Sequence, residues 1–178
     1  MQRHVVFLFL VCLVAAAANA GEPITIGETI TLQSKIMGEE RTILVSTPPG
    51  YEQGTAGFVV LYMTDGSGHF THTRGTVDFL AGNGLMPQVI IVAVGNTDRT
   101  RDLTPTHVES LGGDGDAFPV DTSGGASKFL DFFEHELIPY IDDHYRTMPM
   151  RLFSGHSFGG CSLRCSKYNS FFSAETKR

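Results

Sequence analysis

Two continuous apolar runs constrain the fold of this 178-residue chain more than any other feature. Phe58–Met63 and Val89–Val94 contain no charged residue and are rich in branched side chains, a pattern typical of strands buried on both faces of a sheet. Residues 73–80, which lie between them, have a helical pattern. A strand, a helix and a second strand in this order predict a parallel pair with a right-handed crossover. The chain is therefore expected to have an α/β fold.

Segments on both sides of these runs extend the predicted sheet. Residues 24–36 alternate apolar and polar side chains, which predicts a half-buried antiparallel pair, and residues 41–46 are the next strand. Apolar residues recur at every fourth position in residues 125–145 and predict a helix. Pro139 is expected to kink or shorten that helix near its end. Residues 151–154 then form a further strand.

The pentapeptide Gly-His-Ser-Phe-Gly at residues 155–159 follows that last strand directly. A Gly-x-Ser-x-Gly motif between a strand and a helix is typical of a nucleophile elbow, whose tight turn exposes the serine. The alternative is a chance occurrence in a chain with 20 glycines, but the position after a strand favours the elbow. Ser157 is therefore the predicted nucleophile, and the backbone N–H of Phe158 is the first predicted oxyanion donor.

A second oxyanion donor is expected in the loop after the first buried strand. Residues 64–68 of this loop read Thr-Asp-Gly-Ser-Gly. An ordinary Asp-Gly turn without a role is the alternative, but a turn at the carboxyl end of a buried strand faces the same crevice as the elbow. The N–H of Ser67, or that of Gly66, is the candidate donor.

Charged residues at positions 98–102 follow the second buried strand, within a long, polar and glycine-rich segment of residues 96–123. Open α/β sheets bind ligands at this carboxyl edge. An arginine here can orient an anionic or polyol substrate, and a solvated charged loop is an equally good interpretation. Asp65 and Arg101 are the predicted substrate-binding residues.

Three histidines lie close to these segments in the sequence. His69 and His72 are one helical turn apart and resemble a metal-binding pair, but no third ligand is evident, so they are expected to line the crevice rim or to be solvated. The side chain of His156 is expected to point away from Ser157. The sequence therefore predicts neither a metal nor a cofactor.

The amino-terminal segment indicates an exported protein, and the net charge argues against two classes of partner. Arg3 and His4 precede an apolar run that ends in Ala-Asn-Ala at residues 18–20, which predicts a cleaved signal peptide at residues 1–20 and a secreted or periplasmic location. The formal net charge is −6 at pH 7. An acidic surface argues against nucleic acid or an anionic membrane as a partner.

Beyond these separate motifs, residues 24–160 resemble the esterase D-like family of α/β-hydrolases, which includes siderophore esterases and S-formylglutathione hydrolases. The landmarks that carry the resemblance are five segments in a fixed order: residues 47–51, 60–66, 96–102, 129–141 and 155–160. The resemblance implies an α/β-hydrolase fold, a mostly parallel sheet flanked by helices with antiparallel amino-terminal strands. It also implies hydrolysis of a small-molecule carboxylic ester through an acyl-enzyme on Ser157.

The resemblance stops after Gly160, where the family has an apolar helix and this chain continues with a polar tail, residues 161–178. In the family's fold the triad acid and histidine follow the serine, but only 21 residues follow Ser157 here. Residues 21–160 are therefore interpreted as the amino-terminal part of a hydrolase domain with impaired turnover. A single-base frameshift at Gly160 is one hypothesis, because the shifted frame converts Cys161 and Cys165 to Leu, Met or Val.

Two other functions fit the same sequence. An acyltransferase on this scaffold would pass the acyl group to an alcohol instead of water, and a product assay with an added alcohol distinguishes it. A non-catalytic remnant or ligand-binding module would bind an ester without consuming it, and Ser157→Ala would leave its affinity unchanged.

Overall fold

The computed structural model describes residues 21–112 and 117–163. The predicted signal peptide and residues 164–178 of the predicted tail lie outside this part of the chain. None of the helices in the described part is long and apolar enough to span a bilayer.

The strands of the described part are, in chain order, β1 Glu28–Ser34, β2 Glu39–Ser46, β3 Phe58–Met63, β4 Val89–Val94, β5 Ser110–Leu111, β6 Phe118–Pro119 and β7 Thr147–Ser154. Five of them form a mixed sheet at the centre of the molecule, with the strand order β1-β2-β4-β3-β7. The strand β2 pairs antiparallel with β1 and with β4, whereas β3 is parallel to both β4 and β7. The short strands β5 and β6 pair separately. The predicted α/β fold is confirmed.

The antiparallel pair predicted within residues 24–36 is instead one strand of a longer hairpin. Glu28 opposes Val45 at one end of the β1–β2 ladder and Ser34 opposes Glu39 at the other. The chain reverses at Gly38, whose φ of +79° is a left-handed conformation that suits glycine. The alternating pattern of residues 24–36 therefore corresponds to one strand, β1, and its partner is β2 on the other side of the turn.

Helices cover both faces of the sheet. On one face, Phe70 and Val77 of the first helix pack with Ile91 and Ala93 of β4. On the other face, the helical segment after residue 125 packs against β2, β3 and β4. The helices are α1 Gly66–Gly82, α2 Arg99–Leu103, α3 Ala126–Phe132, α4 Ile138–His144 and α5 Phe158–Leu163, with a short 3-10 helix at Tyr51–Gln53 and a π-helical turn at Phe133–Leu137.

The helix predicted at residues 73–80 begins earlier, at Gly66, directly after β3. A Cβ atom at Gly66 would lie 2.9 Å from the carbonyl oxygen of Val94. Glycine therefore lets the first turn of α1 press against the end of β4, and the glycine-rich sequence that suggested a loop is a close contact between helix and sheet.

Pro139 does not end the long helix of residues 125–145. The chain passes from α3 through the π-helical turn into α4, and the N–H of Ile138 donates to the carbonyl of Phe133. Proline lacks an N–H and crowds the preceding turn, so a widened turn before it keeps the helix continuous. The irregularity predicted at Pro139 is therefore present, but as a π-helical turn and not as a shortened helix.

Aromatic side chains dominate the core beneath the long helix. The ring centroids of Phe129 and Phe133 are 5.0 Å apart, and those of Tyr62 and Phe153 are 5.3 Å apart. Phe133 also meets Tyr62 edge to face. These contacts fix the carboxyl ends of β3 and β7 relative to the helix layer.

The polar segment of residues 96–123 contains the short helix α2 and the β5–β6 pair. Arg41 on β2 anchors α2, because its guanidinium is fully buried and donates to the buried carboxylate of Asp102 at 2.7 Å. A five-residue helix has too few turns to produce a recognisable periodicity, so the sequence suggested only a loop.

Candidate active site

Ser157 occupies the turn between β7 and α5 in a left-handed conformation, with φ of +56°. The helix starts immediately, because the N–H groups of Gly160 and Cys161 donate to the carbonyl of Ser157 at 3.0 and 3.2 Å. Positive φ is uncommon for a residue with a side chain and occurs at functional turns. The strand, the strained serine and the helix therefore occur in the predicted order of an elbow.

Two glycines allow the chain to turn this tightly. A Cβ atom at Gly155 would overlap the backbone of Gly159, and a Cβ at Gly159 would overlap the hydroxyl of Thr64. The N–H of Thr64 also donates to the carbonyl of Ser154 at 3.2 Å, which joins the ends of β3 and β7. Gly155 is thus required by a close backbone approach, and Gly159 makes room for the side chain of Thr64.

The side chain of Ser157 is exposed, and within the described residues its hydroxyl has no hydrogen-bond partner. Phe158 is the first residue of α5, so its N–H precedes the first intrahelical acceptor. A hydroxyl and an uncommitted amide donor therefore stand side by side at this turn.

The loop predicted to supply a second donor is the first turn of α1. Asp65 precedes the helix with φ of +57°, and its carbonyl accepts from the N–H groups of Gly68 and His69 at 3.0 and 3.1 Å. Gly66 and Ser67 come before these donors, so their N–H groups have no acceptor within the helix. Both candidate donors are therefore helix amino-terminal amides at the carboxyl end of β3.

The carboxylate of Asp65 is buried and fully engaged. It accepts from the guanidinium of Arg99 at 2.6 and 3.1 Å and from the side-chain amide of Asn96 at 2.7 Å. Burial alone would raise the pKa of Asp65, but the hydrogen bonds from Arg99 and Asn96 outweigh it and hold the pKa below its usual range. Asp65 is therefore an ionised anchor at the crevice.

Arg99 joins the ends of three strands at this anchor. Besides Asp65 after β3, its guanidinium lies 5.2 Å from the ring centroid of Phe158 and donates to the carbonyl of His156 at 3.4 Å. Arg99 itself is the first residue of α2, which follows β4. The elbow, α1 and α2 are thus held together by one guanidinium.

Arg101, the arginine selected from the sequence, contacts a different set of residues. Its guanidinium donates to Glu39 at 2.5 Å and to Asp102 at 2.7 Å. The hydrogen bonds to Glu39 and Asp102 raise the pKa of Arg101 further, and the hydrogen bond from Arg101 is the main cause of the lowered pKa of Glu39. Arg99 belonged to the same charged group in the sequence, but Arg101 was selected from it. The helix cap at Asp98 could have indicated a helix here, on which residues two apart face different sides.

Three histidine rings meet beside the elbow. The ring centroids of His69 and His72 are 5.1 Å apart, and those of His69 and His156 are 5.8 Å apart. The sequence paired His69 with His72 and predicted that they line the crevice rim or are solvated. The contact of His156 with that pair was missed because it joins segments 87 positions apart and has no local signal.

With this geometry in place, comparison with known proteins assigns the family. Residues 34–166 match the family model described as "Putative esterase". The chain belongs to this esterase family. The predicted resemblance to esterases is therefore confirmed, and the narrower esterase D-like placement stays a prediction.

Solved structures of esterase-like proteins share the fold. An IroE-like serine hydrolase from Shewanella oneidensis is 36% identical with a TM-score of 0.71, and the match covers 77% of this chain and 44% of that chain. The siderophore hydrolase EstA from Aspergillus nidulans has a TM-score of 0.67 at 21% identity, covering 93% of this chain and 59% of that chain. At that identity EstA shows the fold alone.

A curated relative is likewise matched over only part of its length. The uncharacterized protein YbbA of Bacillus subtilis (strain 168) is 26% identical over 137 residues, which are 74% of this chain and 53% of that protein. This esterase-family chain thus spans about half the length of the relatives it matches.

Proposed function

We propose that this chain is a serine esterase in which Ser157 attacks a small-molecule carboxylic ester. The observation that carries the proposal is the exposed, left-handed serine between β7 and α5, with an uncommitted amide donor at Phe158. The name of the Shewanella oneidensis protein, a serine hydrolase at 36% identity, supports the same mechanism.

In the proposed reaction the Ser157 oxygen bonds to the carbonyl carbon of the ester. The negative charge that develops on the carbonyl oxygen is stabilised by the N–H of Phe158 and by that of Ser67 or Gly66, which are positioned before the reaction begins. The C–O bond to the alcohol breaks and leaves an acyl-serine. Water then hydrolyses this ester, releases the acid and regenerates the serine.

The rate depends on a base that takes the serine proton and returns it to the alcohol. In the described part of the chain, no histidine is hydrogen bonded to the hydroxyl of Ser157. An oxyanion hole and substrate binding alone retain about 10³–10⁴-fold acceleration over water in serine hydrolases that lack their triad. We therefore expect slow acylation of Ser157 and very low turnover by this chain.

The charged residues at the crevice favour an ester that carries anionic or polyol groups. Asp65 and Arg101 are the substrate-binding residues proposed from the sequence, and Arg101 remains partly exposed. Because the buried Asp65 carboxylate holds Arg99, we propose that it acts through Arg99, whose guanidinium is about one-third exposed beside the elbow. An arginine fork is suited to bidentate binding of carboxylate or vicinal oxygen atoms.

Covalent labelling with an alkyl fluorophosphonate tests the proposal without requiring turnover. We expect one slowly acquired label on the peptide that contains Ser157, because no base among the described residues activates its hydroxyl, and loss of that label in Ser157→Ala. Ser154→Ala is the matched control, because Ser154 is an exposed serine at the end of the same strand. Equal labelling of wild type and Ser157→Ala, or labelling on another residue, would contradict the proposed nucleophile.

A further inference from the structure

We propose that Arg99 is a positioning residue that sets the spacing of the two oxyanion donors in the proposed reaction. This inference deepens the proposed serine esterase function and rests on it. The candidate donors follow different strands, because Phe158 comes after β7 whereas Gly66 and Ser67 come after β3. Donors of an oxyanion hole must lie about 2.7–3.1 Å from one oxygen position. A contact that joins the two turns therefore affects the rate.

The guanidinium of Arg99 holds the turn after β3 through a bidentate contact. Its Nε and Nη2 atoms donate to the two carboxylate oxygens of Asp65, at 2.6 and 3.1 Å. An arginine–carboxylate pair of this kind fixes orientation as well as distance. Asn96 donates to the same carboxylate at 2.7 Å and secures it from a second side. Because Asp65 directly precedes α1, the amino-terminal amides of that helix are tied to Arg99.

The same guanidinium contacts the residues on both sides of Ser157. It donates to the carbonyl of His156 at 3.4 Å and lies 5.2 Å from the ring centroid of Phe158. A guanidinium near an aromatic ring is attracted by the π electrons of the ring. The backbone between His156 and Phe158, which includes the first donor, is therefore linked to the turn after β3.

Other contacts between the two turns act on the strand ends and on α5. The N–H of Thr64 donates to the carbonyl of Ser154 at 3.2 Å, and a Cβ atom at Gly159 would overlap the hydroxyl of Thr64. That Cβ position also lies 3.5 Å from the carboxylate of Asp65. These contacts bring the turns together, whereas Arg99 acts on the residues that flank the proposed nucleophile.

Arg99 is also a proposed substrate contact, so its positioning role is tested with a reagent that lacks anionic and polyol groups. A fluorophosphonate with a short, uncharged alkyl chain places its phosphoryl oxygen in the oxyanion hole when it reacts with Ser157. Mass spectrometry follows the rate of this labelling. We expect Arg99→Ala to lower the rate constant about tenfold or more, since loss of one oxyanion donor costs about 10²–10³ in rate.

Arg99→Lys separates geometry from charge. Lysine keeps the positive charge beside Asp65, but it has no planar fork to hold the carboxylate and reach Phe158 at the same time. We therefore expect this variant to label about as slowly as Arg99→Ala. Phe158→Leu removes the ring and keeps the backbone N–H, and it should slow labelling in the wild type but have little further effect in the Arg99→Ala background.

Arg74→Ala is the matched control for the loss of an arginine. Arg74 also pairs with a carboxylate at 2.6 Å, but its hydrogen bonds join Asp78 on the same helix to Ser46 and Thr47 at the end of β2. We expect this variant to label at the wild-type rate. Chemical denaturation of every variant gives the folded fraction, so that slower labelling of folded protein is distinguished from lost stability.

Amide NMR spectra of the labelled chain report the donors directly. In the wild-type adduct the amide proton of Phe158 and that of Ser67 or Gly66 should shift downfield together, because both donate to one phosphoryl oxygen. In the Arg99→Ala adduct we expect a smaller shift at Phe158. A change in overall stability alone would not alter this shift in protein that remains folded.

Four results would contradict these expectations in different ways. Wild-type labelling rates in folded Arg99→Ala and Phe158→Leu would overturn the positioning role and leave Ser157 as the nucleophile. A full rate in Arg99→Lys would reject the fork geometry, because charge alone would then suffice. Equal slowing in Arg74→Ala would assign the effect to stability. A wild type without label on Ser157 would instead remove the proposed function, and this inference with it.

Discussion

The strand-to-helix turns after β3 and after β7 both contain a residue in the left-handed conformation, but the two residues have different roles. Asp65 and Ser157 are the two non-glycine residues with positive φ in the described part of the chain, at +57° and +56°. Each is followed directly by a helix. The side chain of Asp65 is buried and held by Arg99 and Asn96, whereas that of Ser157 is exposed without a partner among the described residues.

The difference shows how the strain is compensated at each turn. A left-handed residue with a Cβ costs about 1–2 kcal/mol. At Asp65 charge-assisted hydrogen bonds offset this cost through the side chain itself. At Ser157 the surrounding backbone holds the turn through Gly155 and Gly159, and the hydroxyl remains uncommitted. One turn is an anchor and the other displays a reactive group.

The largest expected effect comes from breaking the backbone packing that supports Ser157. Gly155→Ala places a methyl group on the backbone of Gly159, which cannot move without shifting α5. We expect a loss of about 3 kcal/mol in the free energy of unfolding, and loss of fluorophosphonate labelling. Chemical denaturation measures the first and mass spectrometry the second.

Gly68→Ala is the matched control for that variant. A Cβ atom at Gly68 would meet no other atom within 4 Å, and the residue lies inside α1. Alanine there should be neutral or stabilise by up to about 1 kcal/mol. Similar destabilisation by the two substitutions would refute the contact that we assign to Gly155.

The next effect comes from removing the anchor at the other turn. Asp65→Ala deletes the hydrogen bonds from Arg99 and Asn96 and should lower the free energy of unfolding by about 2 kcal/mol. Asp78→Ala removes a more exposed helix ion pair with Arg74 and should cost about 0.5 kcal/mol or less. Equal losses in the free energy of unfolding for Asp65→Ala and Asp78→Ala would show that the hydrogen bonds of Asp65 do not stabilise the turn more than an exposed ion pair does.

The contribution of Asp65 should also depend on pH. Since its pKa is lowered in the folded protein, its stabilising effect is present above the ordinary value of 3.8 and is lost as the pH falls through the folded value. The difference in unfolding free energy between wild type and Asp65→Ala should therefore be constant near pH 7 and shrink below pH 3.8. A difference that grows on acidification would reverse the assigned direction of the pKa shift.

The smallest expected effect is a gain in the free energy of unfolding from a substitution at Ser157. Ser157→Gly relieves the left-handed strain and is expected to stabilise by about 1 kcal/mol, whereas Ser157→Ala keeps the strain and should be near neutral. Thermal denaturation of the two variants side by side measures the difference. Identical melting temperatures would mean that the turn carries no strain.

The parts of the fold that the sequence predicted depend on local patterns. The strands Phe58–Met63 and Val89–Val94 were predicted at their observed bounds. A short, unbroken apolar run in an α/β protein is typical of a strand that is buried on both faces of the sheet. The turn at residues 155–159 was predicted because the motif is contiguous in the sequence and Gly155 is required by backbone approach within that segment, whereas Gly159 makes room for the side chain of Thr64.

Local patterns gave the wrong prediction where a glycine or a proline is accommodated by tertiary packing. Gly66 suggested a loop, but it is the contact that lets α1 start against β4. Pro139 suggested a kinked or shortened helix, but a π-helical turn accommodates the proline and the helix continues. In both cases the rule describes an isolated segment, and packing against the sheet changes its outcome.

The sequence alone determined the α/β architecture, the esterase family and the turn that displays Ser157, because each depends on short local segments and, for the family, on the order of those segments along the chain. Only the tertiary structure decided that Arg99 faces the elbow while Arg101 is paired with Glu39, and that His156 joins His69. Those contacts join residues tens of positions apart. Which partners meet there is set by the register of the sheet and the docking of its helices, and no local pattern encodes either.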